Sequence, residues 1–205
     1  MYEADKNRII SAIDNFIIAL ETKILPQFND IEKEAKEVEK ERLKFLSSRF
    51  NPDTMDPSDC YEDAYFAGCE HYEIYTEMKQ SVLNMSSVWL YHLFEKDCNM
   101  IFSDKKWGDR KIKLTNLSIG IVKPSNFYKI NEELQYICNI NKHGDGKSQA
   151  ELLKIRPDLF EDKYLSSNKK LKDIDLSQIK DYASEMKSFW MEVYEQLQKK
   201  PKKSL

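Results

Sequence analysis

Glycine and proline are scarce, 5 and 6 among 205 residues. An all-β chain needs turn-formers about every 8–12 residues, so this scarcity argues against a sandwich or barrel. Cysteine is also scarce. Cys60, Cys69, Cys98 and Cys138 are far apart and form no C-x-x-C pair, which excludes the usual zinc and dithiol patterns. No apolar run approaches the roughly 18–20 residues that span a bilayer, so no membrane partner is expected. Charge of one sign is missing too: 32 Lys and Arg stand against 35 Asp and Glu, a net charge of −3. A wholly basic nucleic-acid surface is therefore excluded, while a local basic patch is not. The chain also lacks G-x-S-x-G, G-x-x-x-x-G-K-[ST], G-x-G-x-x-G and H-E-x-x-H, so hydrolase, nucleotide-loop, dinucleotide and zincin chemistry find no support.

What is present suits a helical protein. Hydrophobic residues make up 41% and charged residues 33%, and mean hydropathy is −0.66. This length allows one full core, or at most two small domains. Ile9, Ile13, Phe16, Ile17, Leu20 and Ile24 recur with a 3.6-residue period over 6–25 until Pro26 interrupts. Residues 29–49 carry Ile31, Ala35, Val38 and Leu46 among interleaved Glu and Lys, with attractive (Glu32–Lys36) and repulsive (Glu37–Glu41) i,i+4 pairs. This predicts a solvated amphipathic helix, with 29–50 projecting from the body. Asn51 to Asp59, with two prolines, predicts a capped polar loop; it lacks the spacing of a calcium loop.

From Cys60 to Phe102 the stripe Tyr61, Tyr65, Cys69, Tyr72, Tyr75, Met78, Val82, Met85, Trp89, Leu93 and Ile101 predicts a long core helix, kinked near Gly68 or Ser81. His71 and His92 lie on it as lone histidines without a His or Cys at i+3 or i+4, so no metal site is expected there. Glu95 and Asp97 join no second signal. Residues 103–124 are undecided: Trp107-Gly108-Asp109 reads as a loop, and Ile112, Leu114, Ile119 and Ile121 suit short strands or a helical turn. Ser125 or Asn126 caps a helix carrying Phe127, Ile130, Leu134, Ile137 and Cys138 that stops at Gly144. Ser148-x-x-Glu151 has capping-box spacing for a short helix ending before Pro157. Residues 161–175 are polar and irregular. Ile179, Tyr182, Met186, Phe189, Trp190, Val193 and Leu197 mark a last helix over 177–198, and 199–205 is a flexible basic tail. The sum is a single all-α domain over 1–205, a helical bundle with long amphipathic helices. Scattered buried thiols and an N-terminal stretch without a basic leader point to a cytoplasmic protein.

Chemistry concentrates in one stretch, Asn139 to Ser148. Asn139 and His143 are i,i+4 on one helix face, with Lys142 close to it. Lys147 and Ser148 then open a helix whose free N–H groups suit a phosphate, and Arg156 adds a cation further on. This set suits metal-independent RNA cleavage, in which the 2′-hydroxyl attacks its own phosphate. His143 would move a proton, Lys142 would steady the phosphorane, and Asn139 would orient the imidazole or a phosphate oxygen. No cofactor and no metal are called for. The same residues also read as punctuation: cations in a last helical turn, a glycine cap, a turn and a new helix.

The helical layout, with a polar motif late in the chain, resembles the HEPN superfamily. Glu132 through Phe160 also resembles a group of bacterial proteins sharing N-x-x-K-H-G-[DE]-G-x-S followed by R-P-D-L-F, here Arg156 to Phe160. The resemblance implies a homodimer that binds or cleaves RNA in bacterial defence or a toxin–antitoxin pair. It assigns catalysis to His143, Asn139 and Lys142, and phosphate contacts to Lys147, Ser148 and Arg156. The arginine of the usual HEPN motif falls on Cys138 here, which leaves Lys142 or Arg156 as cations in its place. A non-catalytic dimeric scaffold, docking on a protein partner, is the alternative.

Overall fold

The computed structural model describes residues 1–103, 107–144, 146–161 and 170–199, and the regular elements among them are helical. The turn expected at Asp145, the 162–169 part of the irregular stretch and the 200–205 part of the basic tail lie outside the described residues. In chain order come α1 (Glu3–Ala19), a π-helical turn Leu20–Ile24, a 3₁₀ turn Leu25–Phe28 and α2 (Ile31–Ser47). α3 (Pro57–Phe102), α4 (Trp107–Asn116) and α5 (Asn126–Tyr128) follow. A second π turn, Lys129–Leu134, then leads into α6 (Gln135–His143), α7 (Lys147–Ile155) and α8 (Leu176–Lys199). An antiparallel bridge joins Phe160 to Leu171. Among the described residues no helix is long and apolar enough to cross a membrane. The contacts form two compact units, Ala19–Val82 and Met1–Ile18 with Leu83–Leu205.

The Ala19–Val82 unit is built on a close helix contact. A Cβ on Gly68 would lie 3.0 Å from the Ala35 carbonyl oxygen and 3.1 Å from Glu39 Cβ. Small residues therefore fill the face of α3 that meets α2: Cys60, Ala64 and Gly68 are buried. This overturns the reading of the aromatic stripe as core. Tyr61, Tyr65, Phe66, Tyr72 and Met78 are exposed, because bulky rings do not fit where two backbones approach this closely. α2, expected as a solvated helix, is one, and buries Ile31 and Ala35. Arg42 meets Asp63 at 2.7 Å and His71 meets Glu34 at 3.6 Å. α3 is one helix through Gly68 and Ser81, so neither position breaks it. Its start is capped as the polar loop suggested: Ser58 donates from its backbone N–H (2.8 Å) and its hydroxyl (2.7 Å) to Asp56 Oδ1, with Pro57 as first helical residue. The Ser58 hydroxyl bond, then the backbone bond, hold the Asp56 carboxyl below its ordinary range.

The Met1–Ile18 and Leu83–Leu205 unit holds an aromatic core. Phe189 of α8 lies 5.4 Å from Phe94, 5.7 Å from Phe127 and 5.0 Å from Trp190, ring centre to ring centre. Ile9, Ile13, Leu90, Ile130, Leu134 and Met186 are fully buried around them. The stripe read on α8 is the buried face, apart from half-buried Leu197. Residues 107–116 are helical, which corrects the loop read at Trp107-Gly108-Asp109 and decides for the helical alternative over a strand at Ile112 and Leu114. Arg110, Leu114 and Leu117 are buried at helical spacing, while Ile112 faces solvent. The helix closes through Ser118, at φ 60°, with the Ile119 N–H donating to the Leu114 oxygen at 3.0 Å. The capping box expected at Ser148 does not form: the N-cap lies two residues earlier, at Gly146, and Glu151 pairs with Lys154 at 2.8 Å. A reciprocal box forms at α8 instead. Gln178 N–H donates to Asp175 Oδ1 at 2.8 Å and Asp175 N–H donates to Gln178 Oε1 at 2.9 Å.

Two predictions follow from this core. Phe94→Ala removes a fully buried ring shared by Phe127, Phe189 and Trp190, and should cost about 3–5 kcal/mol in urea unfolding; a loss below about 1 kcal/mol would contradict this packing. Asp97 is fully buried, with Oδ1 on Arg8 Nη2 at 3.0 Å and Oδ2 unpartnered. Burial raises its pKa, and Arg8 opposes the rise only in part. A raised folded-state pKa favours the fold at low pH and withdraws that stability as pH rises through it. Asp97→Asn should therefore melt above the wild type at pH 7, with the gap closing toward pH 4; a gap that widens on acidification would refute the assignment.

Candidate functional site

α6 is held at both ends. At the start of the α5–α6 run, Ser125 Oγ accepts the Tyr128 N–H at 3.1 Å, as its cap position predicted. Ile130, Leu134, Ile137, Cys138 and Ile140 face the core. At the end, Gly144 takes φ +75°, a conformation disfavoured for side-chain-bearing residues, and its N–H donates to the Ile140 oxygen at 2.8 Å. Between them Asn141 ties α6 to α3: its Nδ2 donates to Ser87 Oγ at 3.1 Å and to the Asn84 oxygen at 3.4 Å. Lys142 and His143 thus occupy a fixed, exposed last turn.

The six predicted site residues divide into two sets. Asn139 does not orient His143 in this arrangement, because its Nδ2 donates to Ser148 Oγ at 3.3 Å and pins α7 to α6. Arg156 is turned inward. Its Nη1 meets the buried Glu133 Oε2 at 2.5 Å, while Nε (2.9 Å) and Nη2 (2.8 Å) grip the Asp158 carboxylate. These bonds keep the guanidinium protonated and hold the Asp158 carboxyl below its ordinary range. Lys142, His143 and Lys147 remain exposed, flanking the turn between α6 and α7. No hydrogen bond joins His143 or Lys147 to a described residue. Gly146, as the N-cap of α7, supplies no side-chain cap.

Cys138 is buried, and desolvation pushes its thiol up to about 11; Lys142 opposes this and Glu95 adds to it. A neutral thiol contributes neither charge nor nucleophile here. Two residues that sequence reasoning set aside join the site. His92 Nε2 lies 3.4 Å from Lys142 Nζ, and His92 Nδ1 lies 3.2 Å from Glu95 Oε2. An ammonium only donates and a carboxylate only accepts, so this network assigns the imidazole proton to Nδ1. The i,i+3 spacing of His92 and Glu95 was the available sequence signal; the reach of Lys142 from α6 was not readable. Among the described residues no cluster of three or more His, Cys, Asp or Glu is placed to hold a metal ion. Comparison of the chain with protein-family models, curated proteins and solved structures finds no match.

Arg156→Ala leaves the buried Glu133 carboxylate without its partner and should cost roughly 3–5 kcal/mol in chemical denaturation. Asp158 has a depressed pKa, so its share of stability exists above the ordinary carboxylate range and is lost as pH falls through the folded value. The difference between wild type and variant should thus shrink in acid. A variant as stable as wild type at pH 7 would refute this structural role.

Proposed function

We propose that this chain is a HEPN-like protein that binds RNA, of the bacterial defence or toxin–antitoxin kind, and that Lys142, His143 and Lys147 meet RNA phosphates at the α6–α7 turn. The observation that carries this reading is the division of polar groups. Asn139, Ser148 and Arg156 are bonded inside the fold, whereas these three stay exposed around one turn. A net charge of −3 confines binding to such a local patch. The resemblance adds pairing of two copies. The second reading, a non-catalytic module for a protein partner, draws on the exposed Tyr61, Tyr65, Phe66 and Tyr72 of α3.

Fluorescence anisotropy with labelled single-stranded RNA tests the first reading. Each phosphate contact to a single strand contributes a slope of about −0.7 in log K against log salt. Wild type should show a slope of roughly −1.4 for the two lysine contacts. Replacing Lys142, His143 and Lys147 together by Ala should lower affinity at least about tenfold and flatten the slope, with an unchanged melting curve. Equal binding by both proteins, or no binding by wild type, would reject RNA contact at this turn.

A further inference from the structure

Metal-free cleavage of RNA needs two proton carriers, one to take the 2′-hydroxyl proton and one to protonate the leaving 5′-oxygen. The motif at the end of α6 supplies one, His143. We propose that His92, oriented by Glu95, supplies the other, and that Lys142 brings the phosphate to both. This rests on the RNA-binding reading above.

The geometry is that of an oriented base. Glu95 Oε2 lies 3.2 Å from His92 Nδ1 and fixes the ring so that Nε2 presents its lone pair. That lone pair faces Lys142 Nζ at 3.4 Å. Lys142 and His143 are consecutive in the last turn of α6, and Lys142 is the one whose Nζ reaches His92. The two helices are fastened next to this point by the Asn141 bonds to Ser87 and Asn84, so the α3 and α6 groups are held in register. All four side chains are solvent-accessible, as a polymer substrate requires.

A phosphate oxygen that pairs with Lys142 Nζ draws the ammonium away from His92 Nε2, whose lone pair is then free to accept from the adjacent 2′-hydroxyl. Nε2 then takes the 2′-hydroxyl proton as the O–H bond breaks, and the 2′-oxygen forms a bond to phosphorus. Lys142 neutralises the added charge on the non-bridging oxygens. The P–O5′ bond breaks, and the departing 5′-oxygen takes a proton from the His143 imidazolium. The products are a 2′,3′-cyclic phosphate and a 5′-hydroxyl, with no electron transfer and no metal. Solvent returns His92 to the neutral form and His143 to the charged one. Glu95 acts through His92 as a positioning residue.

The experiment incubates the full-length chain with end-labelled RNA in EDTA and measures anisotropy on the same samples. Wild type should release fragments ending in cyclic phosphate. RNA with 2′-deoxy sugars should bind but stay intact. His92→Gln, at an exposed position, should lower the cleavage rate about 100-fold or more, with RNA affinity within about twofold and an unchanged melting curve. Glu95→Gln should lower kcat about tenfold and leave KM nearly unchanged, a split that a structural role would not produce. Binding without cleavage by wild type, or cleavage by His92→Gln at the wild-type rate, overturns the proposal and leaves RNA binding standing. Absence of binding by wild type overturns both.

Discussion

The side-chain amide of Asn141 is the constraint on which the exposed end of α6 depends. It reaches across 54 residues of sequence to Ser87 and across 57 to the backbone of Asn84, so it is a tertiary tie rather than a local turn. A last helical turn without such a tie frays into water, and its side chains sample many positions. With it, and with Gly144 closing the helix, Lys142 is presented to His92 and His143 to solvent. The Ser87 hydroxyl donates in turn to the Asn84 oxygen at 2.6 Å. The tie is thus a small network, and its members reinforce one another in a partly buried setting.

Around that tie the polar groups fall into two classes with different physics. Glu133 and Asp97 are carboxylates taken out of water. Glu133 is answered by a guanidinium that also grips Asp158, whereas Asp97 is answered on one oxygen only. The first arrangement stabilises the joint between α7 and the segment that follows it; the second lowers stability at neutral pH. Lys142, His143, Lys147 and His92 keep their hydration and can exchange it for a ligand at little cost. With the Arg156 guanidinium bonded inside the fold, lysine and histidine are the groups exposed at the end of α6.

Much of the helical plan was legible because burial follows a 3.6-residue period wherever a helix has one clear inner face. α8 is the plainest case, with Ile179, Tyr182, Met186, Phe189, Trp190 and Val193 all inside. The stripe on α3 misled in its first half, where Tyr61, Tyr65, Tyr72 and Met78 recur at helical spacing but face solvent, because the contact at Gly68 admits small residues only. Residues 107–116 were ambiguous because a short helix with Leu114 inside and Ile112 outside resembles an alternating strand. For the site, the Gly144 stop and the Lys142–His143 pair could be read directly. The inward commitments of Asn139 and Arg156 could not, since their partners Ser148 and Glu133 are ordinary residues until the fold brings them close. His92 was discounted for want of a ligand partner along its own helix, while the partner that matters comes from α6.

The chain has 3 histidines, His71, His92 and His143, so their imidazole nitrogens can be resolved individually by ¹⁵N NMR. The measurement that bears most directly on this account is the tautomer of His92 in the neutral form, in wild type and in Lys142→Met. The account predicts that wild-type His92 carries its proton on Nδ1, bonded to Glu95, with Nε2 accepting from Lys142, and that Lys142→Met shifts the Nε2 resonance and leaves His71 unmoved. A wild-type His92 protonated on Nε2 and indifferent to the loss of Lys142 would contradict it.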